Sequence, residues 1–187
     1  MRSIYKTSAF LICALSLLAV SLVAQGSGTS DQAMFVGVKR CKMCHMSKSK
    51  GNQYGVWKAS KHADAYQALG TDKAKELAAK AGVKGNPQES DKCLKCHVTA
   101  FGVDAALLGK TFVREGGVQC EACHGPGSKY IKMNVMKDHS LALQNGLVVP
   151  DEKTCKRCHN EESPTFKGFD FKEYFSKIDH AVPKAGS

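Results

Sequence analysis

Four short segments carry every cysteine beyond residue 40: Cys41-Lys42-Met43-Cys44-His45, Cys93-Leu94-Lys95-Cys96-His97, Cys120-Glu121-Ala122-Cys123-His124 and Cys155-Lys156-Arg157-Cys158-His159. Each is C-x-x-C-H, the attachment pattern of c-type haem. Two thiols three positions apart on a helical turn can each add to one vinyl group of a single haem. The imidazole that follows is then held over the iron as proximal ligand. The pattern therefore predicts four covalently bound haem c groups. Two zinc sites, each built from two C-x-x-C pairs, would use the same thiols. They leave the four histidines unexplained. A disulfide framework would close very small loops and hold little together.

The histidine count sets the coordination. Of seven histidines, His45, His97, His124 and His159 follow the motifs, and His62, His139 and His180 remain. A sixth ligand makes a haem low-spin and rigid, so these three are candidate distal ligands. His62 lies in Ser60-Lys61-His62-Ala63, where small neighbours let a haem face approach. His180 follows an amphipathic stretch, and His139 sits in polar Lys137-Asp138-His139-Ser140. Eight axial positions against seven histidines leave one iron open to a small diatomic ligand. Met43, Met46, Met133 and Met136 could ligate but read as packing residues.

The elements that must position these groups are short. Gln53–Leu69 reads as a helix closed by Gly70, and Asp72–Ala81 as a second, capped by Thr71 and stopped by Gly82. Ser128–Lys137 and Asp170–His180 read as helices, the latter with Asp170 and Glu173 placed as in a capping box. Its Phe171, Tyr174, Phe175 and Ile178 form one apolar stripe. Asp91 and Pro150-Asp151 can start the turns of the second and fourth motifs. Met34–Val38 reads as extended and Thr111–Arg114 as a short strand. The motifs are separated by 47, 22 and 30 residues, so there is no fixed repeat. Roughly 40 residues per haem are too few to bury each macrocycle separately. The expected fold is mainly α, loop-rich and poor in β, with four closely stacked haems forming much of the core.

Residues 1–24 combine Arg2 and Lys6 with an apolar run from Ala9 to Ala24, the pattern of a cleaved secretory signal peptide. The run falls short of the roughly 20 apolar residues that span a bilayer, which weakens the alternative of an uncleaved anchor. Cys13 leaves with this segment. Residues 25–34 are a polar leader, and 35–187 form the haem-bearing domain. The expected location is periplasmic.

The net charge of +10 changes meaning once haem is counted. Cleavage removes two cations, and eight haem propionates offset most of the rest. Nucleic-acid binding then loses its support. Lys42, Lys95, Lys156 and Arg157 within the motifs, with Lys73, Lys75 and Lys80, read instead as charges that steer encounter with redox partners.

With these motifs in view the chain resembles the cytochrome c-554 family of tetrahaem cytochromes. The resemblance rests on Gly37–Leu69 with its Trp57 and Ser60-Lys61-His62-Ala63, on Cys93–Gly102, on Gly117–Gly127, and on Glu162-Ser163-Pro164. It implies three bis-histidine haems and one five-coordinate haem, placed by the likeness on Cys93, Cys96 and His97. Founding members of that family accept electrons from hydroxylamine oxidoreductase. For this chain the resemblance implies electron relay between periplasmic or membrane-bound redox proteins. No hydrolytic or group-transfer set is present in the sequence. The rival readings are a haem enzyme reducing a small nitrogen species such as nitric oxide, and a subunit of a multihaem assembly.

Overall fold

Short helices are what this sequence can support. Glycine, proline and the motifs themselves interrupt it every few residues, and helices this short depend on tertiary contacts rather than propensity. The computed structural model describes residues 31–182, and Gln32–Ser187 forms one compact unit. The signal-peptide reading of 1–24, including Cys13, lies outside the described residues. The helices are α1 Val38–Lys42, α2 Gln53–Ala59, α3 Ala65–Ala68, α4 Asp72–Lys80, α5 Asp91–His97, α6 Cys120–His124, α7 Met133–Met136, α8 His139–Gln144, α9 Glu152–Lys156 and α10 Phe171–Ser176. The β content among the described residues is one isolated parallel bridge between Phe35 and Leu108. The fold is mainly α with little β, as composition and spacing predict. No helix among the described residues is long and apolar enough to cross a membrane.

Local signals are realised where the chain makes its own cap. The Thr71 hydroxyl accepts from Ala74 N at the start of α4, and Gly82 ends the helix with φ of 70°. Asp151 and Thr154 form a reciprocal capping box on α9. Asp170 accepts from Glu173 N on α10.

The expected long helices are interrupted. The stretch 53–69 breaks after Ala59, because Ser60 turns extended and its hydroxyl donates to Trp57 O. Helix α3 resumes at Ala65. The stretch 128–137 keeps only α7, since Tyr130 turns its hydroxyl toward Gly125 O. Thr111–Arg114 is no strand. The Thr111 hydroxyl donates to Val36 O, Phe112 packs on Phe35 at 6.1 Å, and a 3-10 turn follows at Arg114–Gly116. The stripe on α10 is exposed or half-buried rather than core.

Apolar burial is thin. Leu69, Leu94 and Val98 make one cluster, with Tyr66, Cys93 and Phe101 against it. Tyr130, Val135 and Ala142 make another, with Met136, Leu141 and Leu147. A buried polar seam does much of the joining. Thr99, Gln119 and Glu121 are 1–2% exposed, and every buried polar side-chain atom among the described residues has a partner.

Candidate haem-binding site

The second and third motifs lie on α5 and α6, which His97 and His124 close, while α1 and α9 end two residues into the first and fourth motifs, at Lys42 and Lys156. The eight cysteines are free thiols. Four of them meet across motifs in two pairs. Cys41 and Cys120 share a hydrogen bond, as do Cys96 and Cys158. Within each pair the shared proton splits the two groups. Cys41 and Cys158 are pushed up, by the partner thiol first and burial second. Cys120 is held down by Cys41, and Cys96 is brought down to about 7 by Cys158, with help from the Lys95 ammonium. Burial raises Cys123 and Cys155. Among the described residues no three His, Cys, Asp or Glu side chains converge on one point.

The histidines are prepared as ligands by their second nitrogen. Nδ1 of His124 lies 3.0 Å from Val148 O, Nδ1 of His97 2.6 Å from Ala65 O, and Nδ1 of His180 2.6 Å from Ile178 O. A carbonyl only accepts, so Nδ1 carries the proton and donates. In the neutral ring Nε2 then keeps its lone pair, the arrangement a metal requires. Nδ1 of His45 lies 3.3 Å from Gln53 Oε1. Burial holds His62, His124 and His159 below the usual imidazole range, which favours the neutral, ligating form. The neighbouring His159 adds to the effect at His62. His180 and His45 add to it at His124, where the Val148 carbonyl opposes it.

Two of the three candidate distal histidines stand opposite motif histidines. His62 and His159 have ring centroids 6.0 Å apart, with planes inclined at 79°. His124 and His180 are 5.9 Å apart at 70°. An imidazole nitrogen sits about 2.0 Å from a bound metal and about 1.1 Å from its own ring centre, so two imidazoles flanking one ion have centroids about 6 Å apart. Each of these two imidazole pairs could thus hold a metal ion between its rings. His139 is the exposed first residue of α8. Among the described residues, neither His139, His45 nor His97 has a second imidazole stacked against it.

The scaffold around His62 is specific. Trp57 Nε1 donates to Val118 O at 2.7 Å, and Val118 N donates to His62 O at 2.9 Å. Gly117, at φ 74°, comes so close that a Cβ there would lie 2.6 Å from His62 O. Segment 117–119 also accepts Thr99 N on Gly117 O and donates Gln119 N to the Thr99 hydroxyl. The position of His62 is thus set from the turn that leads into the third motif. Gly116 and Gly117 hint at such a close approach in the sequence, while Trp57, Thr99 and Gln119 carry no motif that singles them out.

The fourth motif has an aromatic side. Phe169 stacks on the His159 ring at 5.1 Å, and Tyr174 meets it at 5.7 Å. The apolar stripe on α10, read from sequence as packing, therefore contacts a motif histidine through Tyr174.

The basic residues inside the motifs are engaged within the chain. Lys42 lies over the Tyr54 ring, Lys95 pairs with Glu162, Lys156 pairs with Glu152, and Arg157 donates to Ala122 O of the third motif. Lys75 pairs with Asp72 on α4. Lys39, Arg40, Lys48 and Lys50, around the first motif, are exposed.

A family model for cytochrome c554 and c-prime matches residues 40–125, which hold the first three motifs and His62. Cytochrome c-554 of Nitrosomonas europaea is 29% identical over 175 residues, covering 84% of this chain and 72% of that protein. No solved structure matches the chain. The chain is thus similar, over most of its length, to a small c-type cytochrome, and that similarity implies covalently bound haem c.

Proposed function

We propose that this protein is an exported tetrahaem c-type cytochrome that relays electrons between periplasmic or membrane-bound redox proteins. The observation that carries the reading is the placement of His62 opposite His159 and of His180 opposite His124, each at the separation two axial ligands of one iron require. When bound, haem supplies a reversible one-electron centre, and bis-histidine coordination favours transfer over chemistry. The chain's own residues attach, orient and exclude water. Cys41 and Cys44, Cys93 and Cys96, Cys120 and Cys123, and Cys155 and Cys158 provide the thiols. The Nδ1 donors fix the ring orientations. The thin apolar core supports the reading, since four macrocycles supply the burial that side chains do not.

His139 is the remaining candidate sixth ligand, and by the family likeness the open iron is the one of His97. Intact-mass measurement of protein recovered from the periplasm tests the whole. The expected mass is that of residues 25–187 plus four haems, and a smaller haem number or bound zinc overturns the reading. In the same protein about one haem is expected to be high-spin. Replacing His62 or His180 with Ala is expected to raise this to about two. The rival reading, reduction of a small nitrogen species, draws on the absence of a second imidazole at His97 among the described residues. Sustained nitric oxide turnover by the reduced protein would move it ahead. Ligand binding without turnover supports the carrier.

A further inference from the structure

The third motif carries a carboxylate between its cysteines, and nothing in haem attachment calls for one. Glu121 is 2% exposed. Its Oε1 accepts from Val36 N at 2.8 Å and from Gly127 N at 2.7 Å, and its Oε2 accepts from Gly37 N at 2.7 Å. All three partners are backbone N–H groups, with no cation among them. Beside it, Gln119 Oε1 accepts from Val38 N at 2.9 Å, while Gln119 Nε2 donates to Val113 O at 2.7 Å. Val38 opens α1, and its N-cap, Gly37, has no side chain to cap it. The start of the first motif's helix is therefore capped from the third motif, more than 80 residues away in the chain. The thiols of Cys41 and Cys120 meet beside this clamp.

We infer that Glu121 is a positioning and tuning residue, which clamps the first and third attachment turns together and lowers the reduction potentials of the two cofactors they hold. The inference rests on the tetrahaem reading above and deepens it. Reducing a ferric haem adds one electron and removes one positive charge from the iron. A fixed negative charge nearby opposes that change. Burial strengthens the effect, because a low-dielectric setting weakens neither the field nor, as salt does at a surface, its reach. At the position of Glu121 the first, second and fourth motifs carry Lys42, Leu94 and Lys156, so Glu121 is the one carboxylate between motif cysteines, and its bonds to Val36 N and Gly37 N tie it to the first attachment turn. The difference sorts the four centres into a lower-potential pair and a higher-potential pair.

The test is a redox titration of the purified four-haem protein, with each midpoint assigned through its haem-methyl resonances. In Glu121→Gln the midpoints of the first- and third-motif haems are expected to rise, by at least twice any movement of the other two. Glu121→Asp, which keeps the charge but shortens its reach, is expected to stay closer to the parent midpoints while losing thermal stability. A Glu121→Gln protein with four haems whose midpoints are unchanged, or rise equally, overturns the inference. Where that variant fails to incorporate four haems, Gln119→Glu takes its place. It adds a charge at the same clamp and is expected to lower the same two midpoints, and no movement there overturns the inference equally. Parent protein without four haems overturns the carrier reading itself, which separates the two failures.

Discussion

The first and third motifs share a five-residue pattern and have opposite surroundings. In the first, Lys42 rests over the half-buried Tyr54 ring, Met43 is 71% exposed and Cys44 faces solvent. In the third, Glu121 is almost fully enclosed, and its flank Gly117–Gln119 holds His62, Thr99 and Val38. The proposed attachment residues are the same in both. The two residues between the cysteines decide what else the turn does. One turn is a rim and the other joins three distant parts of the chain.

That contrast can be broken in order of decreasing effect. Glu121→Ala leaves three N–H groups of Val36, Gly37 and Gly127 without their acceptor. An unsatisfied buried donor costs about 1–3 kcal/mol, so a loss of about 3 kcal/mol or more is expected, read as the denaturation midpoint of the haem-loaded protein. Lys42→Ala and Met43→Ala, at the matching positions of the first motif, are expected to stay within about 0.5 kcal/mol. Equal losses at the two turns would dissolve the comparison.

Gly117→Ala comes next. Its Cβ would meet the backbone oxygens of His62 and Ala63, at 2.6 and 3.0 Å, in a conformation that L side chains rarely adopt. A cost of about 2 kcal/mol is expected. A more specific readout is added high-spin haem, because the displaced group is the backbone of His62. Trp57→Phe is the mildest of the series. It removes the indole donor to Val118 O and keeps most of the ring, so about 1 kcal/mol is expected with coordination unchanged. High-spin haem in Trp57→Phe would show that the indole, rather than segment 117–119, places His62.

What could be read from the sequence divides along the same line. The four C-x-x-C-H motifs stand out in the sequence because haem chemistry demands fixed types at fixed spacing. Helix α4 was legible because Thr71 and Gly82 write both of its ends locally. Gln53–Leu69 was not, because its break depends on Trp57 and His62 being held by Val118, about 60 residues further on. The apolar Phe112 and Val113 suggested a strand, yet Phe112 packs on Phe35 and the backbone turns. Glu121 went unremarked because a charged residue in a variable position reads as solvated. The glycines around it, at 116, 117, 125 and 127, were the available hint that backbone crowds this turn.

The segment at residues 34–38 has a consequence in time. Met34 N donates to the Ser128 hydroxyl while Ser128 N donates back to Met34 O, and Phe35 bonds to Leu107 and Gly109. Each of these partners lies more than 70 residues downstream. A chain emerging from its N-terminus therefore cannot seat its first motif until the third has also emerged, and contacts of such sequence separation are late to form. Until then Cys41, Cys44 and His45 ride on an unanchored chain, open to whatever attaches the cofactor. The first turn to appear is thereby among the last to be locked.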